Sequence, residues 1–252
     1  MSGQPLQGKT ALVTGAAKRL GRATALALGA EGVNVVVHYG ESAQEGADTC
    51  AQLRGLGVKA WAVQADLARP KAPETLIARV LKEAGSLDIL VNSASIFPPS
   101  ALAEMTFEQV VETLRVNAWA PFALGRDFAR RVGRGKIVNL LDARIVGYDW
   151  AHAAYYLSKQ MLAVLTRMMA LEFAPHVTVN AVAPGLILPP PGEDESYLDR
   201  LSDTVPLKRH GEAEDVTEAI VYLLKSDFVT GQVLFVDGGR HLRGLGHGSN
   251  PD

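Results

Sequence analysis

The sequence is poor in the features that mark secreted and membrane proteins. Cys50 is the single cysteine among 252 residues, which excludes an internal disulfide. The first ten residues, MSGQPLQGKT, lack the apolar core of a signal peptide. No apolar segment approaches the length of about 20 residues that a membrane span needs. We therefore expect a cytoplasmic protein with no membrane partner.

A large excess of charge of either sign is also lacking. The formal net charge is −2, and the chain has no run of lysine or arginine. It therefore offers no basic surface to nucleic acid or to an anionic membrane, and we expect small-molecule partners. Hydrophobic residues make up 48% of the chain, enough for one large core. We expect a single domain over residues 1–243 and a flexible tail over residues 244–252.

Short apolar runs, many of them rich in valine, alternate with helical segments along the chain. We predict strands at 10–14, 34–38, 59–65, 88–92, 136–141, 178–183 and 233–236. The predicted helices cover 20–30, 42–54, 74–84, 106–131, 151–173 and 213–225. Repeated strand–helix units with apolar strands predict a Rossmann-like α/β fold, a doubly wound parallel sheet with helices on both faces. In such a sheet, ligands bind beyond the carboxyl ends of the strands.

The first predicted strand is followed by a turn that contains glycine, TGAAKRLGR at residues 14–22. Gly15 and Gly21 allow a tight turn and a close approach of the backbone to a pyrophosphate, whose charge the next helix N-terminus favours. The spacing is not the common G-x-G-x-x-G, and Arg19 stands where a glycine is expected. A plain strand-to-helix turn is the alternative.

The end of the second strand bears on the choice of nucleotide. A protein built for NAD usually presents an acid about 20 residues past the glycine turn. Here His38 and Tyr39 are not acidic, and Lys18 could face a 2′-phosphate, which favours NADP. Glu41 would repel that phosphate unless it points to solvent. Asp66, after the third strand, could accept a hydrogen bond from the adenine amino group or cap the next turn.

Three ionisable residues follow the strand at 136–141. Asp142 closes the apolar run, and Tyr155 and Lys159 lie four residues apart, on one face of the predicted helix. An ammonium beside a phenol favours the phenolate and lowers the pKa of the tyrosine from about 10. Such a tyrosine can exchange a proton near neutrality. Taken alone, the pair could also be an ordinary pair on a helix surface.

Together these motifs resemble the short-chain dehydrogenase/reductase family. The resemblance covers nearly the whole chain and rests on TGAAKRLG at 14–21, Asp66, NSAS at 92–95, Asn117, Tyr155 with Lys159, Pro184 with Gly185, and VDGG at 236–239. It implies that Tyr155 is the general acid, that Lys159 binds the nicotinamide ribose, and that Asn117 joins the proton relay. It also implies a homotetramer with paired helices 106–131 and 151–173.

The resemblance further implies an NADP(H) site spread over the whole chain. Its residues would be Gly15, Lys18, Arg19, Leu20, Gly21, His38, Tyr39, Ser42, Asp66, Leu67, Asn92, Ser93, Ala94, Tyr155, Lys159, Pro184, Gly185 and Leu186. Two positions depart from the family pattern. Ser93 replaces a frequent asparagine, and Arg19 replaces the middle glycine of the turn.

Asp142 is the most informative departure. Most members of the family carry a serine there, whose hydroxyl donates to the substrate carbonyl and stabilises the developing oxyanion. A carboxylate would oppose that charge. An ionised Asp142 suits a substrate with N–H groups. A protonated Asp142 could pass a proton to nitrogen as hydride arrives at the adjoining carbon. Asp142 therefore indicates reduction of C=N rather than C=O.

Within the family, the pattern resembles the pteridine reductases, and most of all the bacterial dihydromonapterin and dihydrofolate reductases. The shared features are Arg19, HY at 38–39, Ser95, Phe97, Asp142 and DGGRHLR at 237–243. The resemblance implies that a pterin lies between the nicotinamide and the ring of Phe97, with Arg19 and Ser95 at its polar edge. The substrate site would comprise Arg19, Ser95, Phe97, Asp142, Tyr155 and Leu188. Alternatively, Phe97 could fill the core beneath a loop.

Residues 186–200, LILPPPGEDESYLDR, are rich in proline and acidic side chains and follow a strand. This composition and position predict a mobile substrate lid in which Leu188 and Pro189 contact the substrate. A passive surface loop is an equal alternative. Trp150 and His152 could also enter the pocket, although aromatic residues at a helix start more often serve packing.

Three functions are compatible with these observations. The first, which we favour, is NADPH-dependent reduction of a dihydropterin such as dihydromonapterin, dihydrobiopterin or dihydrofolate. The second is reduction of a 3-oxoacyl or sugar ketone by the same fold. The third is a catalytically silent NADP-binding regulatory protein, against which the presence of Tyr155, Lys159 and Asn117 argues.

Overall fold

The computed structural model of the protein describes residues 5–190 and 192–243, and its central feature is a parallel sheet of seven strands. The strands are β1 Thr10–Thr14, β2 Asn34–Tyr39, β3 Ala60–Gln64, β4 Ile89–Asn92, β5 Gly135–Leu140, β6 Val177–Pro184 and β7 Val233–Val236. Their order across the sheet is β3-β2-β1-β4-β5-β6-β7. The predicted doubly wound fold is confirmed. The tail predicted over 244–252 lies outside the described residues.

Helices cover both faces of the sheet. They are α1 Arg19–Ala30, α2 Ala43–Gly55, α3 Ala72–Ala84, α4 Phe107–Leu114, α5 Ala120–Arg131, α6 Ala153–Glu172, α7 Glu195–Ser202 and α8 Ala213–Lys225. Successive strand residues face opposite layers, so Val13 packs in a core cluster with residues of α1, α2 and α8, and Leu12 packs with residues of α3, α5 and α6. Within the described ranges, no helix is long and apolar enough to cross a membrane.

The long helix predicted at 106–131 is interrupted in the structure. A π-helical turn, Arg115–Trp119, separates α4 from α5. Pro121, in the first turn of α5, explains the break, since proline has no N–H to donate to the carbonyl four residues earlier and its ring clashes with that carbonyl. The π turn carries Asn117, which is fully buried. The interruption thus coincides with a predicted site residue, as is frequent for π turns.

Part of the predicted lid is helical. Residues 195–202 form α7, whose first turn is capped by Asp194, since its Oδ1 accepts from the backbone N–H of Ser196 at 3.0 Å. Leu198 of α7 packs with Leu186 and Val205 in a small buried cluster. Two 3₁₀ turns, Ala143–Val146 and Arg240–Arg243, were also absent from the predicted elements. Each follows a strand of the sheet and has only four residues, too few to show a periodic pattern in the sequence.

The strand order places the predicted binding crevice between β1 and β4. The chain leaves these neighbouring strands towards opposite faces of the sheet, which opens a crevice beyond their carboxyl ends. Thr14, the last residue of β1, joins the two ends, because its hydroxyl oxygen accepts from the backbone N–H groups of Ser93 at 3.0 Å and Ala94 at 3.1 Å. The glycine turn and the 93–95 loop are therefore held side by side.

The close approach of these loops requires glycine. Gly15 has φ +65°, and a Cβ there would lie 2.9 Å from the Cα of Ala94. A Cβ on Gly21 would lie 2.2 Å from the carbonyl oxygen of Gly15, so helix α1 begins directly against the turn. The sequence-based expectation that both glycines allow a tight turn agrees with this geometry.

We predict that Gly21→Ala lowers the free energy of unfolding by about 1–3 kcal/mol, because the added methyl group must displace backbone atoms. Urea unfolding followed by circular dichroism measures the change. Gly40→Ala is the matched control, since a Cβ there meets no atom within 4 Å. Equal stability of the two variants would contradict the prediction.

Candidate active site

A hydrogen bond between Tyr155 and Asp142 forms the centre of the candidate site. Asp142 lies just beyond the end of β5, and Tyr155 lies in the first turn of α6. The Tyr155 hydroxyl donates to Oδ2 of Asp142 at 2.9 Å. Tyr155 is buried, with 8% of its surface exposed, whereas Asp142 is partly exposed. The carboxylate is thus the more exposed of the two hydrogen-bonded groups.

Burial raises the pKa of Tyr155 well above its ordinary value of 10, and the charge of Asp142 and its hydrogen bond raise it further. The predicted lowering of this pKa was therefore wrong, because burial and the carboxylate in direct contact with the phenol raise it. The Lys159 ammonium lies 5.5 Å from the centroid of the Tyr155 ring. The phenol is therefore held in its protonated form.

Lys159 is buried and donates to the carbonyl oxygen of Leu140 at 2.8 Å. Burial lowers the pKa of Lys159 to about 8, and the charge of Asp142 opposes this effect. As the spacing of four residues predicts, Tyr155 and Lys159 lie on the same side of α6, which faces the end of β5. The Leu140 carbonyl thus ties the lysine to the strand that carries Asp142.

Asn117 contacts the site indirectly. Its Oδ1 accepts from the backbone N–H of Ile96 at 2.8 Å, and its Nδ2 donates to the carbonyl of Ile96 at 2.9 Å and to the hydroxyl of Ser158 at 3.1 Å. The resemblance implied a place in the proton relay, but these contacts join Asn117 to a loop and to α6 and do not include Tyr155 or Lys159. In this geometry Asn117 positions the 93–99 loop.

Sequence reasoning missed an ion pair beside Asp142. Arg144 donates through Nη1 to Oδ2 of Asp149, and its backbone N–H donates to Oδ1 of Asp142 at 2.8 Å. Asp149 is buried, and its Oδ1 accepts from the backbone N–H groups of Ala151 at 3.0 Å and His152 at 2.9 Å. An aspartate shortly before a helix is a recognisable capping signal that could have drawn attention to Asp149.

Phe97 lies among site residues rather than in the core. Its ring stacks on His152 with centroids 3.9 Å apart and meets the Tyr155 ring edge-on at 4.6 Å. The Arg144 guanidinium lies 5.0 Å from the ring centroid. His152 covers one face of Phe97, so a substrate cannot stack on that face in this arrangement. Ser95 is exposed nearby, with its hydroxyl 3.5 Å from the carbonyl of Ile96.

The glycine turn presents a basic helix N-terminus. Helix α1 has no side-chain cap at Lys18 and no acidic residue in its first turn, so its first N–H groups can bind an anion. Lys18 is paired with Glu45 of α2 at 2.6 Å. Arg19 has φ +53°, a left-handed conformation consistent with the glycine expected there, and donates to the carbonyl of Pro189 at 2.7 Å. Leu20 packs against the core.

His38 lies inside the protein, not at the mouth of the crevice. Its Nδ1 accepts from the backbone N–H of Gly15 at 3.1 Å, and its Nε2 lies 3.0 Å from the carbonyl of Ala65. Burial lowers the pKa of His38 to about 4, with a further lowering by Arg79 and an opposing effect of the Ala65 carbonyl. The ring is therefore neutral and braces the glycine turn instead of facing a phosphate.

The residues that follow His38 lie closer to the protein surface than its ring does. Tyr39 is partly buried and its ring lies over Gly46 of α2, where a Cβ would come within 2.9 Å. Ser42 precedes α2 without a side-chain capping bond, and Glu41 is exposed. Because Glu41 is exposed, its carboxylate can point to solvent, which is the condition under which we expect NADP.

After β3 and β4, side chains serve mainly local structure. Asp66 caps the next turn through the N–H of Ala68 at 3.0 Å, which agrees with the capping interpretation, and Leu67 is buried. Asn92 donates to Oδ1 of Asn139 at 2.8 Å inside the sheet, and its own Oδ1 has no hydrogen-bond partner among the described residues. The partly exposed residues Ser93 and Ala94 form the wall of the crevice beside Gly15.

The segment after β6 packs against the end of β7 and against α7. Pro184 ends β6, and a Cβ on Gly185 would lie 2.4 Å from the Cβ of Asp237. Leu186 packs with α7, and Leu188 packs against the core. These contacts hold Leu188 in apolar packing at the base of the segment.

Known proteins with similar sequences and structures identify the family. The family model described as Enoyl-(Acyl carrier protein) reductase matches residues 15–241. The 3-oxoacyl-[acyl-carrier-protein] reductase FabG of Staphylococcus epidermidis is 33% identical over 244 residues, which cover 93% of this chain and 99% of the relative. The granaticin polyketide synthase putative ketoacyl reductase 2 of Streptomyces violaceoruber is 35% identical, with coverages of 94% and 97%. The chain belongs to the short-chain dehydrogenase/reductase family.

A solved structure adds a different activity to this group. FolM alternative dihydrofolate reductase 1 from Brucella canis, solved in complex with NADP, superposes with a TM-score of 0.88 and 30% identity. The match covers 95% of this chain and 96% of that protein. The chain is thus an oxidoreductase of this family, and the proteins similar to it include ketoacyl reductases and an alternative dihydrofolate reductase.

We predict that His38 makes the stability of the protein depend on pH. The pKa of His38 is about 4 in the folded state and 6.5 in the unfolded chain, so its contribution is fully present above pH 6.5 and is lost as the pH falls towards 4. The wild type should lose about 3 kcal/mol more unfolding free energy over this range than His38→Gln. Urea unfolding at a series of pH values tests this. The exposed His176, changed to Gln, should behave as wild type.

Proposed function

We propose that this protein is an NADPH-dependent reductase that converts a dihydropterin to its tetrahydro form. The observation that carries this proposal is the carboxylate of Asp142 in contact with the protonated Tyr155. A carboxylate at this place can accept N–H groups of a pterin ring, whereas it would repel the oxyanion of a ketone. The superposition on an alternative dihydrofolate reductase supports the same substrate class.

The residues divide the proton chemistry between them. NADPH, when bound, supplies the hydride to the carbon of the C=N bond. Tyr155 gives its proton to the nitrogen, so that C=N becomes CH–NH, and the phenolate left behind is favoured by the nearby Lys159 ammonium. Asp142 binds the substrate and is hydrogen-bonded to the donor. A proton from solvent restores the phenol before the next turnover.

The crevice fits NADP(H). The glycine turn and the uncapped N-terminus of α1 would hold the pyrophosphate, and the wall formed by Ser93 and Ala94 would line the nicotinamide side. Lys18 and Arg22 line a cleft between α1 and α2, where a 2′-phosphate would find positive charge, although Glu45 now pairs with Lys18. The FolM structure in complex with NADP supports this choice.

Reduction of a 3-oxoacyl or other ketone is the second candidate function. The identity of about one third with FabG and with a putative ketoacyl reductase favours it. Tyr155 and Lys159 suit this chemistry equally well. Asp142 discriminates between the two functions, because only a nitrogen heterocycle gains from a carboxylate at that position.

We also propose that the protein is a cytoplasmic homotetramer formed by one domain over residues 1–243. An apolar stripe along α6 supports association through its long helices, because Leu157, Val164, Met168 and Leu171 share one face and are 42%, 53%, 59% and 83% exposed. Residues 186–200 would act as the substrate lid, hinged beside the Arg19–Pro189 hydrogen bond.

We predict that Asp142→Ser lowers kcat/KM for the preferred dihydropterin by about 100-fold, as expected when a group in direct contact with the proton donor is lost. Activity with a 3-oxoacyl thioester should stay equal or rise. NADPH oxidation at 340 nm measures both rates. Asp127→Ser, on α5 away from the site, is the control. The pterin proposal fails if folded wild type oxidises no NADPH with dihydromonapterin, dihydrobiopterin or dihydrofolate.

We predict that Lys18→Met weakens NADPH binding about tenfold and leaves NADH binding unchanged, because only NADPH carries the 2′-phosphate. Fluorescence titration of the reduced nucleotides gives both dissociation constants. Lys82→Met, at an exposed position of α3, controls for loss of surface charge. Equal weakening of NADPH and NADH would show that Lys18 does not recognise the phosphate.

A further inference from the structure

The proposed chemistry does not use the ion pair of Arg144 and Asp149, which lies beside the reacting residues. Arg144 lies in the 3₁₀ turn that follows Asp142, and Asp149 precedes α6. The Asp149 side chain is 2% exposed and the Arg144 side chain 24% exposed. A buried ion pair is weak evidence for stability, since desolvation offsets the attraction. Its position therefore suggests another role.

We propose that Arg144 and Asp149 form a positioning pair for the reaction, in which Asp149 fixes Arg144 and Arg144 holds the Asp142 carboxylate against Tyr155. This inference rests on the proposed function only in requiring that Asp142 and Tyr155 act on the substrate. It holds for a pterin and for a ketone.

Asp149 provides the fixed end of the pair. Its Oδ1 accepts two backbone N–H groups immediately before α6, those of Ala151 and His152, and its Oδ2 accepts from Arg144. The start of the helix that carries Tyr155 is thereby tied to the turn that carries Arg144. Three hydrogen bonds to one buried carboxylate leave it little freedom to move.

Arg144 provides the contact with Asp142. Its backbone N–H donates to Oδ1 of Asp142 at 2.8 Å, a contact that the side-chain variants keep. Its side chain adds the ion pair that they lose, with Nε 3.9 Å from the same oxygen. With Oδ1 engaged, Oδ2 is turned to the Tyr155 hydroxyl. Burial disfavours the charge of Arg144, but the neighbouring carboxylates outweigh it and its pKa is raised, so the guanidinium stays charged.

Arg144 and Asp149 shift the pKa of Tyr155 in opposite directions. The charge of Arg144 lowers the pKa of Tyr155, whereas the charge of Asp149 raises it, both more weakly than burial and Asp142. Other ionisable groups around this centre are Lys159 and His152 on the α6 side, Tyr197 of α7 and Arg240 of the last 3₁₀ turn. Removing Arg144 or Asp149 should therefore move the proton affinity of the donor in opposite directions.

The pair also supports the ring on which a substrate would stack. Arg144 lies 5.0 Å from the centroid of Phe97, and His152, whose backbone is bonded to Asp149, covers one face of that ring. A cation over an aromatic ring is attracted by its quadrupole. Loss of the pair should therefore raise KM as well as lower kcat.

The first experiment measures kcat and KM for Arg144→Met, Arg144→Lys and Asp149→Asn, with the pterin or ketone that wild type turns over. Arg144→Met and Asp149→Asn should each lose about 10- to 100-fold in kcat and raise KM. Arg144→Lys, which keeps the charge, should recover part of the rate. Arg131→Met, which breaks the surface pair with Asp127, should change neither.

The second experiment needs no substrate. The protein labelled with tyrosine at 13Cζ, with the Tyr155 signal assigned through Tyr155→Phe, reports the hydrogen bond to Asp142 by its chemical shift. The signal should move in Arg144→Met and Asp149→Asn and stay fixed in Arg131→Met. If the signal stays fixed in Arg144→Met and Asp149→Asn, or if both variants keep the kcat and KM of wild type, the positioning role is refuted. Absence of pterin turnover in wild type would refute only the substrate.

Discussion

The hydrogen bond between Tyr155 and Asp142 places a carboxylate and a phenol in contact at the edge of the sheet, and much of the surrounding structure compensates for it. A partly buried carboxylate needs donors, which the phenol and the backbone N–H of Arg144 provide. The guanidinium of Arg144 needs a counter-charge, which Asp149 provides. Asp149 in turn is satisfied by the N-terminus of α6. Each group in this series of hydrogen bonds is thus stabilised by the next one.

A second dependence runs through the glycine turn. Gly15 approaches Ala94 so closely that no side chain fits, and its N–H is bound by the neutral ring of His38. Thr14 holds the 93–95 loop from the same strand end. The nucleotide crevice is thus shaped by short-range packing and by one uncharged histidine, while the charged residues Lys18 and Glu45 lie at its outer edge.

Local patterns were sufficient to predict the sheet but not the environment of its side chains. Apolar runs and glycine positions can be read from the sequence itself, so the predicted strands and helices agree closely with those of the structure. The predicted bounds 213–225 and 233–236 are those of α8 and β7. Pro121 could have revealed the break in the long helix. The raised pKa of Tyr155 depends on burial, which the spacing of Tyr155 and Lys159 does not contain. The inward position of His38 and the pairing of Arg144 with Asp149 likewise arise from packing of distant elements.

Arg19 combines two constraints in one residue. Its backbone is held at φ +53° at the beginning of α1, and its guanidinium is bonded to the carbonyl of Pro189 across 170 positions of the chain. Glycine at this position would ease the backbone conformation but would release Pro189, and a shorter cation would keep the conformational cost without the same reach. A substitution of Arg19 would therefore act at two distant parts of the chain at once, the glycine turn and the segment around Pro189.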